Sequence, residues 1–131
     1  MGKRLYPNRM NKDILGDFKK ACVLNNSYQS EKMDELIESF FNMEQKDIKE
    51  FSEKIKKDKL DGQNKNEDSN AKVYRKGEYA NRKAFSFSLQ EENINKFKEF
   101  CDQESLLVYE FLEALIEQWL KEVGVRNADS N

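Results

Sequence analysis

The chain has 131 residues, 37% apolar and 37% charged, enough for one modest core or two very small folding units. It contains no histidine, and its two cysteines, Cys22 and Cys101, form no CxxC pair. That removes the commonest general base, the commonest zinc ligand and the Ser-His and Cys-His dyads. The acidic residues are scattered over helix-patterned segments and read as solvated faces, and there is no Gly-rich phosphate loop, so neither catalysis nor a cofactor is expected. No apolar run approaches the roughly 18 residues of a membrane span. Residues 1–12 lack the apolar stretch of a signal peptide, so a bacterial-type cytoplasm is the expected location.

The net charge of −2 argues against a nucleic-acid partner, but its distribution does not. Residues 1–12 carry Lys3, Arg4, Arg9 and Lys12 without an acid, a local +4. Residues 72–83 carry Lys72, Arg75, Lys76, Arg82 and Lys83 against Glu78, again +4, which leaves −10 on the rest. Two basic islands sit on an acidic body.

In chain order, residues 4–10 read as a short extended segment. A first helix is expected over about 11–24, with Ile14, Leu15, Phe18, Ala21 and Cys22 on one face. The run NNS at 25–27 breaks it, because Asn tolerates left-handed geometry and Ser27 can accept from orphan N–H groups. A second helix from about 28 carries Met33, Leu36, Ile37, Phe40 and Phe41. Ile48, Phe51 and Ile55 mark a helical extension over 44–57, and 58–81 is polar enough to read as a flexible linker. Then KAFSFSL, residues 83–89, alternates Phe85, Phe87 and Leu89 with Ser86 and Ser88, the period of a strand with one apolar face. Helices are expected over 90–104, with Ile94, Phe97, Phe100 and Cys101, and from 107, with Phe111, Leu112, Leu115, Ile116, Trp119 and Leu120. Residues 125–131 form a polar tail, expected to be disordered.

The order repeats because the sequence does. At an offset of 79, Phe18, Lys19 and Cys22 fall on Phe97, Lys98 and Cys101, and Leu36, Ile37 and Glu38 fall on Leu115, Ile116 and Glu117. Glu31 falls on Glu110, Tyr6 on Phe85, and the pair Lys3-Arg4 on Arg82-Lys83. One copy, 1–43 or 82–124, is too small to close a core. Two copies can pair their strands antiparallel over four helices. The partner of KAFSFSL is then RLYPNRM, residues 4–10, from the same chain or from a second one. The fold class expected is mainly α with a short two-stranded antiparallel ribbon.

The runs FKKACVLNNSYQSEKMDELIESFF and FSFSLQEENINKFKEFCDQESLLVYEFLEALIEQWL resemble the ribbon-helix-helix family of Arc- and MetJ-like DNA-binding proteins. The resemblance covers about 80 of the 131 residues, in the tandem form that TraY shows. It implies a tandem ribbon-helix-helix chain whose ribbon enters the major groove of double-stranded DNA, with each second helix holding a phosphate at its N-terminus. On this alignment the outward positions are Leu5, Pro7 and Arg9 in copy one and Ala84, Ser86 and Ser88 in copy two. Arg9, Ser86 and Ser88 become the base-reading candidates, Arg9 foremost because a guanidinium can bridge guanine O6 and N7. Lys3, Arg4, Arg82 and Lys83 suit phosphates, and Ser27 and Ser30 suit the helix-start phosphate site of copy one.

The two copies depart from the family pattern in different places. Pro7 cannot donate to a ladder and suggests a bulge or frayed strand, which would turn Arg4, Tyr6 and Asn8 outward instead. Asn8 otherwise falls on an inward, apolar position. Leu106 and Leu107 stand where a capping residue would help copy two hold a phosphate. The implied output is repression of a promoter, or preparation of a plasmid transfer or partition site, by a plasmid- or phage-encoded protein that forms a homodimer or a higher oligomer on DNA. The rival expectation is a protein-interaction module: an antitoxin that binds its partner through residues 44–60, or a scaffold that uses the acidic helical body as its surface.

Overall fold

The computed structural model describes residues 2–65 and 82–124. Two antiparallel strands, β1 (Lys3–Asn11) and β2 (Arg82–Gln90), come from opposite ends of the chain. The helices are α1 (Lys12–Leu24), α2 (Gln29–Phe41), α3 (Gln45–Lys65), α4 (Glu91–Glu104) and α5 (Val108–Glu122). Strand–helix–helix thus occurs twice, with α3 as an addition to the first copy. The two strands pair within one chain, one of the two arrangements the sequence allowed.

The register runs unbroken from Lys3 opposite Gln90 to Asn11 opposite Arg82. Only one facing pair, Pro7 and Ser86, is also a pair of repeat equivalents, so an approximate two-fold axis passes between them. The expected bulge at Pro7 is absent, for a geometric reason. Ser88 and Gln90 on β2, and Asn11 on β1, send their N–H groups sideways to helix side chains rather than across the ribbon. Alternate residues of a strand turn their N–H to the same side. Pro7 lies an even number of steps from Asn11, so its missing N–H would have pointed off the edge and no ladder bond is lost. Arg4, Tyr6 and Asn8 therefore do not form the outer face.

The turns repeat as closely as the helices do. Asn26 and Ser105 are equivalent and both left-handed, at φ 54° and 58°. After each, an N–H returns to the equivalent cysteine carbonyl: Ser27 to Cys22 and Leu106 to Cys101, both at 2.8 Å. These 6→1 bonds close the first helices. Asn11 caps α1, its Oδ1 accepting from the N–H groups of Asp13 and Ile14 at 2.9 and 3.1 Å.

Beneath the ribbon the apolar stripes meet as patterned. Met10, Leu15, Phe18, Met33, Ile37, Phe87, Leu89, Ile94, Phe97, Phe111, Leu112 and Ile116 are fully buried. At one end Phe40 meets the rings of Phe41, Phe51, Phe100 and Phe111 with centroids 5.0–5.3 Å away. Helix α3 covers this cluster with Ile48, Phe51 and Ile55. Its buried Ser52 donates to Glu104, which also receives Lys56 Nζ at 3.1 Å. The cluster has no match at the other end, where Lys32, the equivalent of Phe111, lies 5.0 Å over the Trp119 ring. Helix α3 runs on to Lys65, past residue 57 and into the segment expected to be linker. The rest of that linker and the tail lie outside the described residues. Among the described residues no helix is long and apolar enough to cross a membrane.

Candidate nucleic-acid interface

The ribbon has one buried and one open face. Tyr6 is half-buried and packs edge-on to Phe97 at 5.1 Å, and Met10, Phe87 and Leu89 are fully buried. Lys3, Leu5, Pro7, Arg9, Ala84 and Ser86 are exposed, and Ser88 is half-buried on the same side. The outward set is the one read from the repeat. Across the strands Leu5 faces Ser88, Pro7 faces Ser86 and Arg9 faces Ala84. Repeat equivalence maps Leu5 onto Ala84 and Arg9 onto Ser88. Each half of the face therefore carries one apolar and one polar side chain.

Arg4 and Lys83 are also equivalent. Both are exposed and lie near opposite ends of the ribbon. Lys3 and Arg9 stand on the open face itself, while Arg4 and Lys83, on the other parity, and Lys12, at the start of α1, are exposed at its margins, five open cations in all.

Arg82 is placed differently from the expectation of an open phosphate ligand. Its Nη1 donates to Glu113 Oε2 at 3.0 Å and to the Arg9 carbonyl at 3.3 Å. Its guanidinium carbon lies 3.7 Å from the Tyr109 ring centroid, and only 13% of the side chain is exposed. Arg82 thus fastens the Arg9 end of the ribbon to α5. Glu113 Oε2 also accepts the Asn11 N–H at 2.9 Å. Burial is the largest influence on the Glu113 carboxyl and raises it above its usual range, opposed by the Asn11 N–H and the Arg82 charge.

The other end has a matching fastening. Asp34, the equivalent of Glu113, accepts the Gln90 N–H at 3.1 Å and Asn93 Nδ2 at 2.9 Å. Ser30 Oγ accepts the Ser88 N–H at 2.9 Å. Asp34 is 6% exposed, so the reading of the acids as solvated helix faces is corrected at Asp34 and at the half-buried Glu113. A signal for both was in the sequence: two acids at the same step of the two second helices, each beside an apolar stripe. What they bind, a backbone N–H from the opposite copy, has no side-chain signature.

These contacts set the two second-helix N-termini on either side of the ribbon, α2 beside Ser88 and α5 beside Asn11. The starts differ. No side chain caps α2, where Ser27 Oγ donates to the Asn25 carbonyl at 3.3 Å and Tyr28 stands exposed. At α5, Glu110 Oε1 accepts the Leu107 N–H at 2.9 Å, which places a carboxylate at the helix mouth. Ser30, expected at a phosphate, also holds the ribbon, its Oγ accepting from Ser88.

No protein-family model, curated protein or solved structure matches this chain.

Proposed function

We propose that this chain is a sequence-specific double-stranded DNA-binding protein of the tandem ribbon-helix-helix kind. It lays the open face of β1–β2 in the major groove and acts by occupancy, without catalysis. The observation that carries the reading is the exposed ribbon face, with Arg9 pointing outward and Lys3, Arg4, Lys12 and Lys83 around it. A two-stranded ribbon fits the major groove, and a guanidinium there has a bidentate partner in guanine. The surrounding cations suit phosphates, which fix position without reading sequence. Ser86 and Ser88 read bases with less discrimination. The biological output is repression of transcription, or an accessory role at a plasmid transfer or partition site, in a bacterial cytoplasm.

Selection from a random duplex library, at moderate and at high salt, tests this. An enriched asymmetric motif, degraded by Arg9→Ala, is the expected result. With five open cations, affinity should fall about 10²- to 10³-fold between roughly 50 and 200 mM salt. Absence of enrichment and of salt-sensitive retention would sink the reading.

One observation favours a second reading. Between α3 and α4 lies a groove of about 640 Å³ lined by Phe41, Ile48 and Phe100 with Lys46, Lys49 and Lys96 around them. An antitoxin or scaffold would hold its protein partner there, through the 44–60 region. A pull-down that Lys49→Glu weakens while duplex binding is unchanged would separate it from DNA binding.

A further inference from the structure

Leu5 is 66% exposed, a large hydrophobic on the open face two residues from its centre at Pro7. It contributes nothing to the core, because the β1 side chains beneath the ribbon are Tyr6, Asn8 and Met10. Its neighbours on the same face extend the apolar character: Pro7 is exposed two residues along, and Ala84, its repeat equivalent, is exposed opposite Arg9. The apolar position thus recurs in both halves of the ribbon, on opposite sides of the two-fold at Pro7–Ser86. The bulky member stands in one half and the long cation Arg9 in the other.

We infer that Leu5 reads a thymine methyl, so that the target carries a thymine in the half under Leu5 and a guanine in the half under Arg9. The inference rests on the proposed placing of this face in the major groove. The argument is one of complementary surfaces. The floor of the groove offers donors, acceptors and a single apolar group, the thymine C5-methyl. A leucine pressed against a cytosine, adenine or guanine edge would desolvate polar groups without pairing them. Against a thymine it buries a methyl instead. Ser88, directly across from Leu5, is small and leaves that side chain room to reach. The spacing is bounded too. Leu5 and Arg9 are four residues apart on one strand, a distance of about 13 Å, so their bases lie no more than about four pairs apart.

The experiment uses the full chain and the motif enriched by selection. Each thymine of the motif is replaced in turn by deoxyuridine, which removes the methyl and keeps every hydrogen-bonding group. Affinity is measured for the wild type and for Leu5→Ala, with thermal unfolding of both to confirm an unchanged fold. One thymine should respond with a loss of about fourfold, the worth of one buried methyl. Leu5→Ala should bind the thymine and deoxyuridine duplexes equally. If every deoxyuridine is tolerated while Arg9→Ala still degrades the motif, the thymine inference is overturned and the ribbon reading stands. A uracil penalty that persists in Leu5→Ala also overturns it, because another group then reads the methyl. If no duplex is bound with sequence preference, both fail together.

Discussion

Replacing Asn8 with valine should make the protein more stable. Asn8 sits on the underside of the ribbon, on the inward face of β1 with Tyr6 and Met10, and opposite Phe85. Its Oδ1 is buried and finds no hydrogen-bond partner, while Nδ2 makes a single long contact of 3.4 Å to the Phe85 carbonyl. A buried acceptor without a partner costs about 1–3 kcal/mol, and a weak hydrogen bond returns only about 0.5 kcal/mol. Valine removes both, and strand preference adds up to about 1 kcal/mol in its favour. The expected gain is about 1.5 kcal/mol after some loss to imperfect packing. In urea this moves the midpoint up by about 1 M with an unchanged slope. The proposed duplex binding should survive, because the residue faces the core; had Pro7 forced a bulge, Asn8 would stand on the open face and the same change would alter it. A midpoint that stays put or falls would refute the orphan-acceptor argument, since Oδ1 would then have a partner in solution.

Gly16 is exposed within α1, and nothing lies within 4 Å of where a Cβ would stand, so Gly16→Ala should stabilise by about 0.5–1 kcal/mol in the same urea assay. Glu113 holds its proton more tightly in the folded protein than in the unfolded chain. Its contribution to stability is therefore full at low pH and declines as pH rises from 4.5 through the raised value. Glu113→Gln keeps an oxygen for the Asn11 N–H and should flatten that part of the stability–pH curve; an unchanged curve would disprove the assignment. Burial, with Glu110 nearby, pushes the Cys101 thiol up to about 12. At pH 8 it should react with iodoacetamide about a thousandfold more slowly than an ordinary thiol, and mass spectrometry showing rapid labelling of Cys101 in the native chain would contradict this.

Much of the fold could be read because its signals are periodic. The alternation in KAFSFSL gave the inward Phe87 and Leu89, and the spacing of Ile14, Phe18 and Cys22 gave the face of α1. The repeat then transferred the strand reading to residues 4–10, whose own pattern is weaker. The misreadings have a common cause. Whether Pro7 harms the ribbon depends on which edge its nitrogen faces, and that follows from pairing rather than from residue type. Asp34 and Glu113 bind backbone groups of the opposite copy, and Arg82 folds onto one of those acids instead of staying open. The reach of α3 has no signature of its own, because residues 56–65 lack an apolar stripe, although their lysines favour helix.

Drawing both strands of the ribbon from one chain changes how it assembles. A ribbon shared by two separate chains dissolves on dilution, since each half is unfolded alone. Here the connection from Lys65 to Arg82 makes closure unimolecular, at an effective concentration on the order of millimolar. The protein can remain folded at a few copies per cell, and its melting temperature should not vary with its concentration. The same connection releases the two halves from identity. An exact dimer must present the same side chain twice, whereas this chain sets Arg9 against Ser88, Leu5 against Ala84, and Lys32 against Phe111. Each half is free to drift towards its own task without waiting for a matching change in the other.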